Sequence, residues 1–370
     1  MRYVFFAGVV FLILLIAGAG VVLFFPSEEN GKEDPGYFGD LLDPYSLSDK
    51  PGVVVYATGD KGTYSASAGL SDLEKGAPVS KTDLFRIGSA TKTFVATVVL
   101  QLAGEGLVDI DAPLGDYLPE DIAESVENAD EATVRETLQM RSGIPDYMTG
   151  EFDDAVADSP SHQWTAEEVV TYSYDIPAGF SPGTEFEYCN NNYVLLQILI
   201  EEVTGNTLAE ELKSRIFDPA GMDSCYLESP GNTGPGTIRG YEQDDGEFVD
   251  VTTYNDGFGL GDGGIVGNAE DIAKFMPALM KGQLIGQDML SQMLRTGPDD
   301  SGDAYGLGIA VIDKTPGRLI GHDGSSGGFV SEMYYLPESD MSIVVLTNNF
   351  DSDIAEQILF EAAERISEES

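Results

Sequence analysis

A serine and a lysine stand three positions apart in the segment FRIGSATKTF, at Ser89 and Lys92. Basic residues are scarce in this chain, with 19 lysines and arginines among 370 residues. About one Ser-x-x-Lys pair is still expected by chance in such a composition, so the motif alone is a weak signal. If the pair carries chemistry, Ser89 is a nucleophile and Lys92 is the group that activates it.

The local sequence places this pair at the start of a helix. A helical pattern begins at Ser89 and runs through TFVATVVLQLAGEG, so Lys92 lies on the same face as Ser89. The free N–H groups and the positive dipole end of a helix N-terminus stabilise a developing oxyanion. A lysine is a poor base, and lowering its pKa to about 7 costs roughly 4 to 5 kcal/mol. A second group must therefore share the proton transfer, and one candidate is a tyrosine whose pKa a charged Lys92 would lower.

A second serine competes for the role of nucleophile. The segment GSSGG, residues 324–328, matches the G-x-S-x-G nucleophile elbow with Ser326 at its centre. That elbow needs a helix after it and a histidine further along the chain. Here the strand pattern FVSEMYYL follows, and both histidines of the chain, His162 and His322, precede Ser326. A Ser-His-Asp triad in another order remains an alternative only if it recruits one of these histidines.

Strand patterns at both ends of the chain enclose a helix-rich middle. GVVVYATG and TYSASAGL predict a hairpin, and YGLGIAVI, GGFVSEMYYL and MSIVVLTN predict strands near the C terminus, before a final amphipathic helix. We therefore predict an α+β fold, with one antiparallel sheet formed from both chain ends, flanked by helices, and an inserted, mainly helical lobe. The sheet lobe is expected at about 52–85 plus 300–368 and the helical lobe at about 86–299, with a ligand cleft between them.

Three motifs in order give the chain a resemblance to a known family. SATK at Ser89, YCNNNY from Tyr188 and GHDG around His322 resemble the motifs of serine β-lactamase-like proteins. This family includes class C β-lactamases, penicillin-binding proteins, D-amino-acid peptidases and family VIII esterases. The resemblance extends over roughly residues 52–366, through segments such as FSPGTEFEYCNNNYVLLQILIEEVTGNTLAEEL. It implies the β-lactamase/DD-peptidase-like fold and a serine hydrolase that works through an acyl-enzyme, with no metal and no cofactor.

The resemblance also implies roles for the first two motifs. Ser89 is expected to be the acylated nucleophile, and Lys92 its hydrogen-bonded base or electrostatic helper. Tyr188 is expected to shuttle the proton between Ser89 and the leaving group. Asn190 is expected to hold both the amide of the substrate and the side chain of Lys92. Cys189 replaces the usual Ser or Ala of this motif and is interpreted as buried filler.

In the third motif His322 takes the place of the family's lysine. The resemblance implies that His322 contacts the substrate, that Gly324 lets the strand edge approach it, and that the N–H groups of Ser89 and Ser325 form the oxyanion hole. A neutral imidazole attracts a substrate carboxylate less than a lysine does. Peptidase or esterase activity is therefore expected in preference to β-lactamase activity.

The first residues form a separate segment. Residues 3–25 carry no charge and are long enough to span a bilayer as a helix, and Arg2 precedes them, which places the rest of the chain outside the cytoplasm. A cleaved signal peptide, with a secreted product, is the alternative. We predict a membrane anchor or signal segment at 1–26, an acidic tether at 27–51 and the hydrolase domain at 52–368.

The charge of the chain restricts its partners. It has 64 acidic residues and a net charge of −45, spread along the sequence as a solvated surface. Such a charge excludes nucleic acid as a partner and suggests a salty medium, although an ordinary acidic extracellular protein is an alternative. The two cysteines, Cys189 and Cys225, form no disulfide framework, and a single bridge between them is left open.

These observations predict an outward-facing, membrane-anchored serine hydrolase. Its substrate is expected to be a small ester, an amide or a D-amino-acid peptide. The alternative is a catalytically idle surface binding or sensor module of the same family. The intact Ser89, Lys92 and Tyr188 argue against that alternative, because an idle protein is free to lose them.

Overall fold

The computed structural model describes residues 33–34, 36–45, 48–229, 234–255, 257, 259–297, 303–350 and 352–368. The uncharged run at residues 3–25 lies outside the described residues, so the anchor and the signal peptide both stay predictions. Within the described ranges, no helix combines the length and the apolar character needed to cross a bilayer.

The strands of the described residues lie mostly near the two chain ends. In chain order they are β1 (Glu33–Asp34), β2 (Val53–Gly59), β3 (Gly62–Ala68), β4 (Leu70–Asp72), β5 (Ala77–Pro78), β6 (Phe85–Arg86), β7 (Tyr226–Leu227), β8 (Tyr241–Asp244), β9 (Glu247–Asp250), β10 (Ile265–Gly267), β11 (Asp303–Tyr305), β12 (Ala310–Lys314), β13 (Gly317–Ser326), β14 (Phe329–Leu336) and β15 (Met341–Thr347). Eight of them form one sheet in the order β1-β3-β2-β15-β14-β13-β12-β11. All neighbours in it are antiparallel except the short pair β1 and β3. The predicted α+β fold, with a sheet from both chain ends, is confirmed.

The helices fill the middle of the chain and flank the sheet. They are α1 (Gly39–Leu42), α2 (Thr91–Gly104), α3 (Glu120–Ser125), α4 (Val134–Leu138), α5 (Gly150–Asp158), α6 (Ala166–Val170), α7 (Asn191–Thr204), α8 (Leu208–Leu212), α9 (Asp218–Ala220), α10 (Ala269–Met280), α11 (Gln287–Met293) and α12 (Ser352–Glu368). Three of the short helices begin with capping boxes, at Thr133, Thr165 and Thr207. Each box satisfies backbone N–H groups that a helix start leaves without partners.

Both faces of the sheet are covered, which explains its uninterrupted apolar strands. Val53 and Val55 of β2 pack into a cluster with α1 and α12, whereas Val54 points to the opposite face and joins the core that contains α2, α7 and α10. Alternate side chains of a strand point to opposite faces, so a strand buried on both sides must be apolar throughout. The helices that carry the candidate site are thus fixed on one face of the sheet.

Part of the predicted tether packs against the folded domain. Phe38, Leu41 and Leu42 are buried against the sheet face that α12 also covers. Arg365 of α12 forms an ion pair with Asp40, with 2.6 Å between Nη1 and Oδ1. Acidic and turn-forming residues dominate the composition of this interval. Composition therefore predicted a tether, although three apolar side chains in it are buried against the sheet. The folded domain therefore begins before residue 52.

Candidate active site

Ser89 lies on a short 3-10 turn, Gly88–Ala90, that leads directly into α2. Neighbouring strands hold this turn. The N–H of Ile87 donates to the oxygen of Ile265 at 3.0 Å, and the hydroxyl of Ser331 donates to the oxygen of Ile87 at 2.7 Å. The turn is therefore fixed to the sheet, which is the rigidity that a nucleophile requires.

The backbone of β13 packs directly against the Ser89 turn. A Cβ atom added to Gly324 would lie 2.1 Å from the oxygen of Ile87 and 2.7 Å from the nitrogen of Ser89. A Cβ atom added to Gly88, whose φ is +49°, would lie 2.5 Å from the nitrogen of Ser325. The two predicted oxyanion-hole residues are thus brought together. Gly324 allows β13 to approach the serine turn itself, whereas the resemblance implied an approach to the substrate.

Lys92 is completely buried and bonds to three oxygens. Its Nζ donates to Oγ of Ser89 at 3.0 Å, to Oδ1 of Asn190 at 2.9 Å and to the backbone oxygen of Asp262 at 2.8 Å. An ammonium group has three N–H donors, and here each of them finds an acceptor. Lys92 therefore connects the first motif to the second and to the segment before β10.

Tyr188 lies beside this pair, as predicted. The Nζ of Lys92 is 4.9 Å from the centre of the Tyr188 ring, and both Lys92 and Ser89 lie close enough to act on the pKa of the Tyr188 hydroxyl. Tyr188 is 40% exposed, whereas its hydroxyl group lies in a buried environment. Burial raises the pKa of Tyr188, and the opposing effects of Lys92 and Ser89 do not cancel it. The resting side chain is therefore a phenol, and the expected lowering of its pKa by Lys92 is outweighed.

Asn190 is oriented by an aspartate that sequence reasoning missed. Its backbone N–H and its Nδ2 donate to Oδ2 of Asp146, at 2.9 and 3.2 Å, which leaves Oδ1 directed at Lys92. Asn191 and Asn192 are buried in the first turn of α7 and bond to Pro145 and Ser142 instead. One asparagine of the run thus faces the site, and the other two hold the loop that carries Asp146.

His322 is buried beside the site, with its ring centre 6.3 Å from that of Tyr188. It is 3% exposed, and burial lowers its pKa. Nδ1 lies 2.6 Å from the backbone oxygen of Asp323 and Nε2 lies 2.9 Å from the hydroxyl of Tyr305. In the neutral ring, Nδ1–H donates to the carbonyl and Nε2 accepts from Tyr305. Both ring nitrogens are engaged inside the protein, so His322 holds Tyr305 in place, and its contact with substrate stays a prediction.

The structure adds Asp262 and Tyr147 to the site. Burial raises the pKa of Asp262 to about 6, and the Tyr147 hydroxyl donates to its Oδ2 at 2.9 Å. Asp262, Tyr147, Ser89 and Ser325 line one recess of about 60 Å³. The local sequences around these two residues, PDY and GDGG, look like ordinary turn segments, so they carried no signal of chemistry.

The competing nucleophile elbow is wrong. Ser326 ends β13, and the strand β14 follows after a tight turn in which Ser326 pairs with Phe329. His162 lies at the surface, 3.3 Å from Glu168, and His322 is engaged by Tyr305. Neither histidine therefore forms a triad with this serine.

The two cysteines are free, and Cys189 is buried as expected. Its Sγ donates to the backbone oxygen of Ile144 at 3.4 Å. Burial raises the pKa of both thiols, which makes them unreactive fillers.

Comparisons with known proteins agree with this geometry. Penicillin-binding protein 4* of Bacillus subtilis is 26% identical over 85% of this chain and 72% of its own length. A D-aminopeptidase of Brucella anthropi is 28% identical over 76% of this chain, which spans about half, 52%, of that protein. Among solved structures, D-amino acid amidase from Ochrobactrum anthropi in complex with L-phenylalanine amide is similar with a TM-score of 0.76 and 27% identity, covering 90% of this chain and 97% of the other.

A second solved structure, a penicillin-binding protein from Bacillus halodurans, has a TM-score of 0.77 and 25% identity, with 88% of this chain and 98% of the other covered. The Beta-lactamase family profile matches residues 45–364, which contain all three motifs. The resemblance inferred from those motifs is confirmed: this chain belongs to the Beta-lactamase family and is one of its serine hydrolases.

Proposed function

We propose that this chain hydrolyses small amides and esters through an acyl-enzyme on Ser89, with D-amino-acid amides and short D-amino-acid peptides as the favoured class. The observation that carries the proposal is the buried Lys92, which joins Ser89 and Asn190 in one hydrogen-bonded unit beside Tyr188. The D-aminopeptidase and the D-amino acid amidase support the substrate class.

In the first half-reaction the Ser89 hydroxyl attacks the carbonyl carbon of the substrate. The new bond joins Oγ to that carbon, and the N–H groups of Ser89 and Ser325 stabilise the oxyanion. The phenol of Tyr188 passes its own proton to the leaving nitrogen or oxygen as it accepts the proton of Ser89. A phenol performs this shuttle without first becoming a phenolate, so the raised pKa of Tyr188 is compatible with the role.

In the second half-reaction water replaces the leaving group and follows the same path in reverse. Tyr188 accepts a proton from the water and returns one to Oγ of Ser89, which releases the acid product. Lys92 stays hydrogen-bonded to Oγ throughout and holds the serine in one orientation. The buried positive charge also stabilises the negative charge that develops on either oxygen.

The third motif favours the binding of amide and ester substrates without a carboxylate over that of substrates with one. His322 is neutral and faces inward, so it supplies no cation to the cleft. None of the described residues that line the recess beside Ser89 is a lysine or an arginine. We therefore propose peptidase, amidase or esterase activity in preference to β-lactamase activity.

We also propose that the enzyme acts outside the cytoplasm, anchored in the membrane by residues 3–25. The support is the uncharged length of this run and the preceding Arg2. Fractionation of cells that produce the full chain tests this proposal. A mature chain that begins near Gly20 would show a cleaved signal peptide instead.

The acyl-enzyme is tested with the purified full chain. D-phenylalanine amide, L-phenylalanine amide, a p-nitrophenyl ester and a penicillin probe are each incubated with the protein, and intact mass and peptide mapping locate the acyl group. We expect an adduct on Ser89, turnover of the D-amide and the ester, and loss of both in Ser89→Ala. Ser326→Ala, a second serine of the same recess, is the matched control and should stay active.

Two results would contradict the proposal. An adduct on Ser326 that persists in Ser89→Ala would identify Ser326, beside the third motif, as the nucleophile. Binding of the probes without any acylation or turnover would favour the idle binding module.

A further inference from the structure

Asp262 carries a buried oxygen that nothing in the described residues binds. The side chain is 7% exposed, and its Oδ1 is enclosed and has no hydrogen-bond partner among the residues that the structure describes. Its other oxygen accepts the hydroxyl of Tyr147. A buried carboxyl oxygen without a partner costs free energy, and a ligand that supplies a donor would offset this cost.

This carboxyl group borders the recess beside the candidate nucleophile. Asp262 and Ser89 line the same space of about 60 Å³, together with Met148. A water-sized group needs about 10 to 15 Å³ of such space, so an ammonium group and the carbon that bears it fit. Met148 is 47% exposed, and its flexible thioether accepts a hydrogen bond from Nδ2 of Asn190 at 3.0 Å, a contact that a ligand entering the recess would replace.

The charges around the recess favour a cation. Asp262 and Asp146 place two acidic groups beside a single basic one, Lys92, whose three donors already have acceptors. His322 adds no positive charge to the site, because burial lowers its pKa. The recess therefore lacks one positive charge, and the large negative charge of the whole chain attracts cationic ligands towards it.

We propose that Asp262 is the specificity-determining residue of this enzyme, and that its carboxylate binds the ammonium group of a substrate whose scissile carbonyl lies at Ser89. This inference rests on the proposed function and narrows it. The substrate is an amide or ester of an amino acid with a free α-ammonium group, and an N-acylated derivative is a poor substrate.

The first experiment measures selectivity in turnover. D-phenylalanine p-nitroanilide and its N-acetyl derivative are compared with the wild-type chain, with Asp262→Asn and with Asp154→Asn, which removes an exposed carboxyl of α5. Asparagine keeps the shape of Asp262 but removes its charge. We expect Asp262→Asn to lower kcat/KM for the free amine by roughly 10- to 100-fold, mainly through KM, because a charge-assisted hydrogen bond is lost. The N-acetyl substrate and the Asp154→Asn variant should change by less than about twofold.

The second experiment is independent of turnover. Ser89→Ala is titrated with D-phenylalanine amide and with N-acetyl-D-phenylalanine amide by calorimetry, alone and combined with Asp262→Asn. We expect binding of the free amine only, and its loss in the double variant. Equal affinity for the two amides, or unchanged affinity in the double variant, would overturn the role of Asp262.

The two proposals fail in distinguishable ways. If Ser89 is acylated by the ester but the enzyme does not prefer the free amine, the ammonium site is wrong and the hydrolase stands. If the free amine binds through Asp262 but no substrate acylates Ser89, the site stands as an amine-binding site and the hydrolase is wrong. An equal loss for both p-nitroanilides in Asp262→Asn would make Asp262 a structural residue.

Discussion

The hydroxyl of Tyr305 donates to Nε2 of His322 over 2.9 Å, and this bond holds the imidazole inside the protein. The two rings lie edge to face with centres 5.6 Å apart, and the ring of Tyr305 also meets that of Tyr188 at 6.3 Å. Through His322, the third motif thus holds Tyr305, whose ring contacts Tyr188. It does not present a positive charge to the substrate.

Tyr305→Phe tests this supporting role. The variant keeps the ring and leaves Nε2 of His322 buried without a donor, which should lower the free energy of unfolding by about 1 to 3 kcal/mol. Urea denaturation measures the change, and Tyr254→Phe at an exposed position is the control. An unchanged unfolding midpoint in Tyr305→Phe would mean that the bond does not support the fold.

Tyr188→Phe tests the proton shuttle. The variant keeps the aromatic contact with Lys92 and removes the hydroxyl, so kcat should fall by roughly 10² to 10⁴, the usual contribution of general acid–base catalysis. Lys92→Ala should lower kcat at least as far, because it removes the group that orients Ser89 and Asn190. Steady-state kinetics on one ester substrate give both values. A Tyr188→Phe enzyme with wild-type kcat would assign the proton transfer to Lys92.

Asp262 should make the folded state less stable as the pH rises. Its pKa is raised to about 6 in the folded protein, above the ordinary value of 3.8, so the folded state binds the proton more tightly than the unfolded chain. Relative to Asp262→Asn, stability is therefore lost between about pH 4 and 6, by about 3 kcal/mol in total. Asp262→Asn should raise the free energy of unfolding at pH 7.5 and leave it near the wild-type value at pH 4. Urea denaturation at these two pH values checks the sign, and the same gain at both would contradict it.

Truncation tests where the folded domain begins. A chain that starts at residue 36 keeps Phe38, Leu41 and Leu42 on the sheet and should be as stable as the full chain. A chain that starts at residue 46 exposes the apolar face beneath them and also removes the Asp40 partner of Arg365. It should melt several degrees lower, because burying each large apolar side chain contributes about 1.5 to 3 kcal/mol. Equal melting temperatures would restore the predicted tether.

Features that depend on local spacing could be predicted from the amino-acid sequence. Ser89 and Lys92 are three residues apart, so a single turn of backbone is enough to bring Nζ to Oγ. The strands of the sheet are equally readable, because each is a short apolar run such as VVVYA or SIVVL bounded by turns. The three motifs SATK, YCNNNY and GHDG, in this order along the chain, indicate the Beta-lactamase family without any knowledge of the contacts.

Contacts between groups that are distant in the chain, and the direction in which those groups face, depend on how the whole chain folds. Asp262 joins the site because Lys92 binds its backbone oxygen across 170 positions of the chain. His322 turns inward because Tyr305, on a neighbouring part of the sheet, supplies the hydroxyl that its Nε2 accepts. Phe38 is buried because residues of the sheet and of α12, far along the chain, pack around it. The physical reason is the same in each case: burial and hydrogen bonding depend on partners that local spacing does not specify.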